Sequence, residues 1–175
     1  YGILATRILI NNYHKNTESH ANFSQTIKLL YENAGKKDLN SNPVRHINDD
    51  LYKFVMKHAD KLDEMVKHDR DYITTYSGWK TMEDKYFLRV NGQPVERKQH
   101  MFMRVAVGIH HKELTNIDSI FQRIQNTYNM LSLHKYIHAT PTLFNIGTPH
   151  QNLASCFLTD VHDSVEGMYS ISLPA

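Results

Sequence analysis

ATPTLFNIGTPHQNLASC, residues Ala139–Cys156, is where the chain changes character. Pro141, Asn145 and Gly147 fall within His138–Gly147, which has no helical period and reads as irregular connection. Leu153–Leu158 is a short apolar run of the kind that forms a strand buried on both faces. Asp163-Ser164-Val165-Glu166 then reads as a capping box opening a helix. Strand, short loop and helix start together predict the beginning of an α/β unit.

Upstream of this switch the pattern is helical. Ile3–Tyr13, carrying Leu4 and Ile8, predicts an amphipathic helix that ends in the polar stretch His14–Ala21. Phe23, Ile27, Leu30, Tyr31 and Ala34 form one helical stripe, with Asn22 as cap and Gly35 as stop. Lys36–Pro43 reads as a polar connection. Asn48 caps a further helix whose stripe runs through Leu51, Phe54, Val55, Ala59, Leu62, Met65 and Val66. Tyr72–Trp79 reads as a packed loop or short helix. Asn91-Gly92 between Tyr86–Val90 and Gln93–Glu96 predicts a hairpin, because both turn residues tolerate positive φ. Pro94 lacks a ladder donor and places its strand at an edge. Two more helices carry Phe102, Val105, Ala106 and Ile109, then Ile117, Ile120, Phe121, Ile124, Tyr128 and Leu131.

Composition bounds the function classes. The 175 residues suit one domain, or one domain and part of another. With 41% apolar and 22% charged residues, the chain is an ordinary globular sequence. A net charge of +2 is too small to argue for a nucleic-acid surface. No apolar run reaches the roughly 18 residues that span a bilayer, and no secretory leader precedes the first helix pattern. One cysteine excludes an intrachain disulfide, so a cytoplasmic protein is the simple expectation.

Three features can carry chemistry. A lone cysteine in an apolar strand, Cys156, is most often a small core residue; as a reactive thiol it needs access. Ser155 beside it faces the opposite side of a regular strand. Asp163–Glu166 is a helix cap or, by the same free N–H groups and dipole, a phosphate site. Thr140-Pro141-Thr142 is a turn with satisfied hydroxyls or a second phosphate contact. The twelve histidines show no zinc spacing, with neither HExxH nor a cysteine pair. They read as scattered surface or half-buried residues.

As a string these segments resemble a known family. Val95–His110 (VERKQHMFMRVAVGIH), Ala139–Cys156 and Asp163–Tyr169 (DSVEGMY) look like successive parts of class I ribonucleotide reductase large subunits, in the same order. Val95–His110 looks more like class I than the cobalamin-dependent class. The resemblance implies a mainly α chain: a helical N-terminal domain with a small β-hairpin, running into the first strand and helix of an α/β barrel. It implies residues 1–18 as the end of an ATP-cone-like region, 19–150 as the helical domain and 151–175 as an incomplete barrel start.

The family reduces ribonucleoside diphosphates by thiyl-radical chemistry. The resemblance makes Cys156 one thiol of the redox pair and Thr140 and Ser155 substrate contacts. It makes Asp163, Ser164 and Val165 an effector site for ATP or deoxynucleotides, and Lys15 a cone-side nucleotide contact. Implied partners are a second large subunit, a small subunit whose metal centre supplies the radical, and a thioredoxin- or glutaredoxin-type reductant. No directly bound cofactor or metal is implied. Ser170–Ala175 departs from the family pattern, and neither the partner thiol nor the radical thiol is in the chain, so the 175 residues alone are expected to be inactive. A helical interaction or nucleotide-binding module derived from the family is the alternative.

Overall fold

A computed structural model of the chain describes residues 2–33, 36–37, 43–156, 158 and 160–172. Ala34, Gly35, Pro174 and the other expectations on the remaining positions lie outside the described residues. Nine α-helices are described: α1 (Gly2–Asn16), α2 (Phe23–Glu32), α3 (Asp49–Lys57), α4 (Ala59–Met65), α5 (Tyr76–Lys85), α6 (Lys98–His110), α7 (Ile117–Ser132), α8 (Thr140–Asn145) and α9 (Val165–Ser172). Two 3-10 turns, Glu18–His20 and His68–Ile73, link them. Two antiparallel hairpins complete the description: β1 (Lys36–Lys37) with β2 (Pro43–Val44), and β3 (Arg89–Val90) with β4 (Gln93–Pro94).

The mainly helical expectation and the Asn-Gly hairpin hold. Asn91 and Gly92 take φ of 50° and 79°, and Arg89 pairs with Pro94. Asn48 caps α3, its side chain accepting from the Leu51 amide at 2.8 Å. Several details differ. Lys36–Pro43 begins and ends in the β1–β2 pair rather than being a plain polar connection. The long stripe from Leu51 to Val66 is two helices, because the chain bends at His58 (φ −126°, ψ 29°), outside the α region. Thr140-Pro141-Thr142 opens the short helix α8 instead of a turn. Proline is accommodated there because the first helical N–H groups have no intrahelical acceptor. On α1 the buried face is Thr6, Ile10 and Tyr13, whereas Leu4 and Ile8 are exposed.

Helix α6 is the centre of the domain. Ten consecutive residues, Lys98–Val107, are buried, so the helix is enclosed on every side. Its apolar residues join Ile27, Leu30, Leu51, Val55, Ile120, Phe121 and Ile124 in the core. Gly108 lets Ile146 approach: a Cβ there would lie 2.6 Å from Ile146 Cγ1. Gly147 (φ 81°) turns the chain beneath α3, where a Cβ would meet Leu51 Cδ1 at 2.7 Å.

Polar residues at the start of α6 and just before it tie in its neighbours. Tyr13 of α1 donates to the Glu96 carbonyl at 2.8 Å, and burial with the nearby Glu96 charge pushes its phenol far up. Arg97 donates to Thr17 Oγ1 and to the carbonyls of His14 and Thr17. Lys98 donates to the Arg70 carbonyl and to Thr74 Oγ1, and burial lowers its amine to about 8. Gln99 bridges Asp71 and Tyr128, whose phenol burial raises to about 12. His100 meets Thr26 and the Ala21 carbonyl, and burial holds it well below the usual imidazole range. No helix among the described residues is long and apolar enough to cross a membrane.

Candidate functional site

The segment that carries the candidate residues is anchored at its start and free at its end. Glu96 and Arg104, both fully buried, form a two-point ion pair with N···O distances of 2.6 and 3.0 Å. The same guanidinium donates to the carbonyls of Leu143 (2.9 Å) and Ile146 (2.7 Å). It thus occupies acceptors that the end of α8 leaves without intrahelical donors. The Glu96 carboxylate also accepts from the Leu88 amide at 3.2 Å, joining the β3–β4 hairpin to the cluster. Asn48 adds a second anchor, its amide donating to the Gly147 carbonyl at 2.8 Å. The sequence reading named Asn48 as a cap but did not single out Glu96 or Arg104. The signal for the pair was Arg104, the one charged residue inside the otherwise apolar run Met101–Val107.

Thr140 stands at the start of α8, exposed, with its hydroxyl 3.1 Å from the Tyr86 phenol oxygen. Tyr86 also stacks on Phe144, with ring centroids 5.1 Å apart. Beside them Thr75, Gly78, Met82, Met101, Ile137 and Leu143 line a cavity of about 380 Å³. Beyond Thr148 the chain leaves the core. Asn145 Nδ2 holds the Asn152 carbonyl at 2.7 Å, and Ser155 and Cys156 are exposed.

The strand expected over Leu153–Leu158 is not formed among its described residues. A strand requires a partner to satisfy its N–H and C=O groups, and no described segment lies alongside as one. A Cys156 buried in a packed strand is therefore not the arrangement here; the thiol is exposed.

Asp163, Ser164 and Val165 are adjacent and exposed at the head of α9. The expected cap is present but displaced by one residue. Ser164, not Asp163, precedes the first helical residue, and its hydroxyl accepts from the Gly167 amide at 3.0 Å. That leaves Asp163 outside the helix. Lys15 lies in the last turn of α1 and is exposed. No hydrogen bond among the described residues joins Thr140 to Ser155 or Cys156, or either group to Asp163–Val165 or Lys15.

Residues 73–151, which take in α5 to α8 and the Glu96–Arg104 anchor, match the ribonucleotide reductase all-alpha domain family. Over 170 residues, 97% of this chain, the sequence is 44% identical to the ribonucleoside-diphosphate reductase large chain of Schizosaccharomyces pombe. Nearly the whole chain is thus similar to part of a ribonucleotide reductase large subunit. It is 45% identical over the same length to the large subunit of Arabidopsis thaliana, and 42% to that of Monkeypox virus. The chain spans about a fifth of the length of these relatives. The helix-rich architecture with its Asn91-Gly92 hairpin is consistent with the all-alpha domain that the family model describes, and the described residues do not include a barrel.

Proposed function

We propose that the chain is part of a ribonucleoside-diphosphate reductase large subunit, the enzyme that makes deoxyribonucleotides for DNA synthesis. The identity of 44% across 97% of the chain to a protein of that name carries the reading. Residues 1–18 close an ATP-cone-like region, 19–150 form the helical domain and 151–175 open the α/β barrel. ATP or deoxynucleotides act as effectors, a metal-containing small subunit supplies the radical, and a second large subunit completes a homodimer.

The chemistry needs more than this chain supplies. Reduction replaces a ribose C–OH by C–H and releases water. Two electrons and two protons come from two thiols, which close to a disulfide. A third thiol, as a thiyl radical, first removes a ribose hydrogen and later returns it. The chain has one cysteine. Cys156 is one thiol of the reducing pair, its partner lying elsewhere in the large subunit, and a thioredoxin- or glutaredoxin-type protein reopens the disulfide by thiolate exchange. The exposure of Cys156 fits a segment that packs only when the rest of the barrel is present.

In the same reading Thr140 and Ser155 contact the ribonucleoside diphosphate. Arg104 is a positioning residue that holds α8, and hence Thr140, through the Leu143 and Ile146 carbonyls. Asp163, Ser164 and Val165 hold the specificity effector at the head of α9, and Lys15 touches the cone nucleotide. The enzyme works in the cytoplasm.

The test uses the full large subunit carrying this sequence, with a small subunit, a thiol reductant and a ribonucleoside diphosphate. Deoxynucleotide formation is expected. Cys156→Ser should stop multiple turnovers while leaving effector binding intact. Asp163→Ala should weaken effector-controlled substrate choice more than stability. Unchanged steady-state turnover in Cys156→Ser would remove the redox role, and no deoxynucleotide from the native pair would remove the activity.

A further inference from the structure

His68 and Asp71 are three residues apart in the 3-10 turn His68–Ile73. With three residues per turn, their side chains lie on one side of it. The last turn of α1 brings His14 against them, its Nε2 lying 2.7 Å from Asp71 Oδ2. One ligand atom from each of the three residues lies within 4.8 Å of the other two.

Further hydrogen bonds orient His68 and Asp71. His68 Nε2 faces the Ala21 carbonyl at 3.1 Å, so it carries the ring proton and Nδ1 presents its lone pair. That Nδ1 is buried and has no hydrogen-bond partner among the described residues. A histidine that donates one ring N–H to a backbone carbonyl and offers the other nitrogen is prepared as a metal ligand. Asp71 Oδ1 is held by Gln99 Nε2 at 2.8 Å, and Gln99 is oriented in turn by the Tyr128 hydroxyl at 2.9 Å. Oδ2 is the atom turned toward His14. His14 keeps 19% of its side-chain surface exposed, which leaves an entry path.

We propose that His14 Nε2, His68 Nδ1 and Asp71 Oδ2 form a transition-metal site that takes Zn²⁺ or a similar borderline divalent cation. The donors are two imidazoles and one carboxylate, with a water completing a tetrahedron. On binding, His14 moves its ring proton to Nδ1. The ligand atoms settle at the roughly 3.3 Å edge set by metal–ligand bonds of about 2.0 Å. The ion fastens α1 to the 3-10 turn. Arg97, which donates to the His14 carbonyl, and Lys98, which donates to the Arg70 carbonyl, are the nearby cations that oppose it. The Asp71 charge offsets that opposition.

The test is titration of the chelator-treated 175-residue chain with Zn²⁺ by calorimetry and with Co²⁺ by visible absorption. One ion per chain is expected, with the strong d–d bands of four-coordinate Co²⁺ and a raised melting temperature in saturating Zn²⁺. His14→Ala and His68→Gln, each checked for folding by circular dichroism, should bind at least about ten-fold more weakly. His110→Ala, away from the site, should bind as the native chain does. If the two site variants fail to fold, ring ¹⁵N resonances of the native chain decide: Zn²⁺ must shift His14 Nε2 and His68 Nδ1. Absent binding, undiminished binding in folded site variants, or shifts confined to other histidines would each overturn the proposal.

Discussion

Replacing Glu96 by glutamine leaves the Arg104 guanidinium charged, fully buried and without its counterion. Arginine cannot relieve this by losing a proton at accessible pH. Glutamine keeps one acceptor in place of two and sets an NH₂ against the guanidinium donors. Breaking a buried pair from one side destabilises by about 3–5 kcal/mol, a large part of the roughly 5–15 kcal/mol that holds a typical domain together. In a chain of this size that lowers the melting temperature by roughly 6–20 °C. Urea unfolding followed by far-UV circular dichroism measures it, with an unchanged m-value expected.

The paired variant Glu96→Leu/Arg104→Met separates the charge effect from the hydrogen bonds. Removing both ions recovers most of the charge penalty. The Leu143 and Ile146 carbonyls then lose their donors, and each carries a penalty of about 1–3 kcal/mol if it stays buried and unpaired. A loss below about 1 kcal/mol in Glu96→Gln is the size of an exposed pair. That result would refute the reading of Glu96–Arg104 as the buried anchor of α8.

Gly108→Ala should destabilise by about 1–3 kcal/mol through overpacking against Ile146, and Ile146→Ala in the same chain should relieve that clash; additive losses in the double variant would contradict it. Lys98 has a folded pKa lowered from 10.5 to about 8, so between those values the unfolded chain binds more protons and stability rises with pH. Subtracting the Lys98→Met curve from the native one should isolate a gain of up to about 3 kcal/mol across that window, absent below pH 8; parallel curves would count against it. Cys156 should react with a disulfide reagent as one thiol per native chain, at a rate close to that in denaturant, whereas a thiol masked until unfolding would show that its segment is packed.

Much of the helical domain was legible in the sequence because helix formation is a local matter. Asn48 with the Leu51 stripe, Asn91-Gly92, and the apolar period of α7 each place their cause within a few residues of their effect. The bend at His58 escaped because Ala59 and Leu62 preserve the apolar stripe across it. The Leu153–Leu158 strand was expected from a short apolar run and the family resemblance, yet a strand is completed by a neighbour, and no described segment supplies one.

What the sequence by itself determined is the helical stripes, the hairpin turn and, through Val95–His110 and Ala139–Cys156, the family resemblance. Only the tertiary structure decided which polar residues are buried. Arg104 meets carbonyls 39 and 42 positions away, and His14 meets Asp71 across 57 positions. Periodicity sees neighbours along one helix. A buried ion pair or a set of converging ligands depends on which helices meet, so Ala139–Cys156 carried the resemblance while the packing around α6 settled what holds that segment's first half in place.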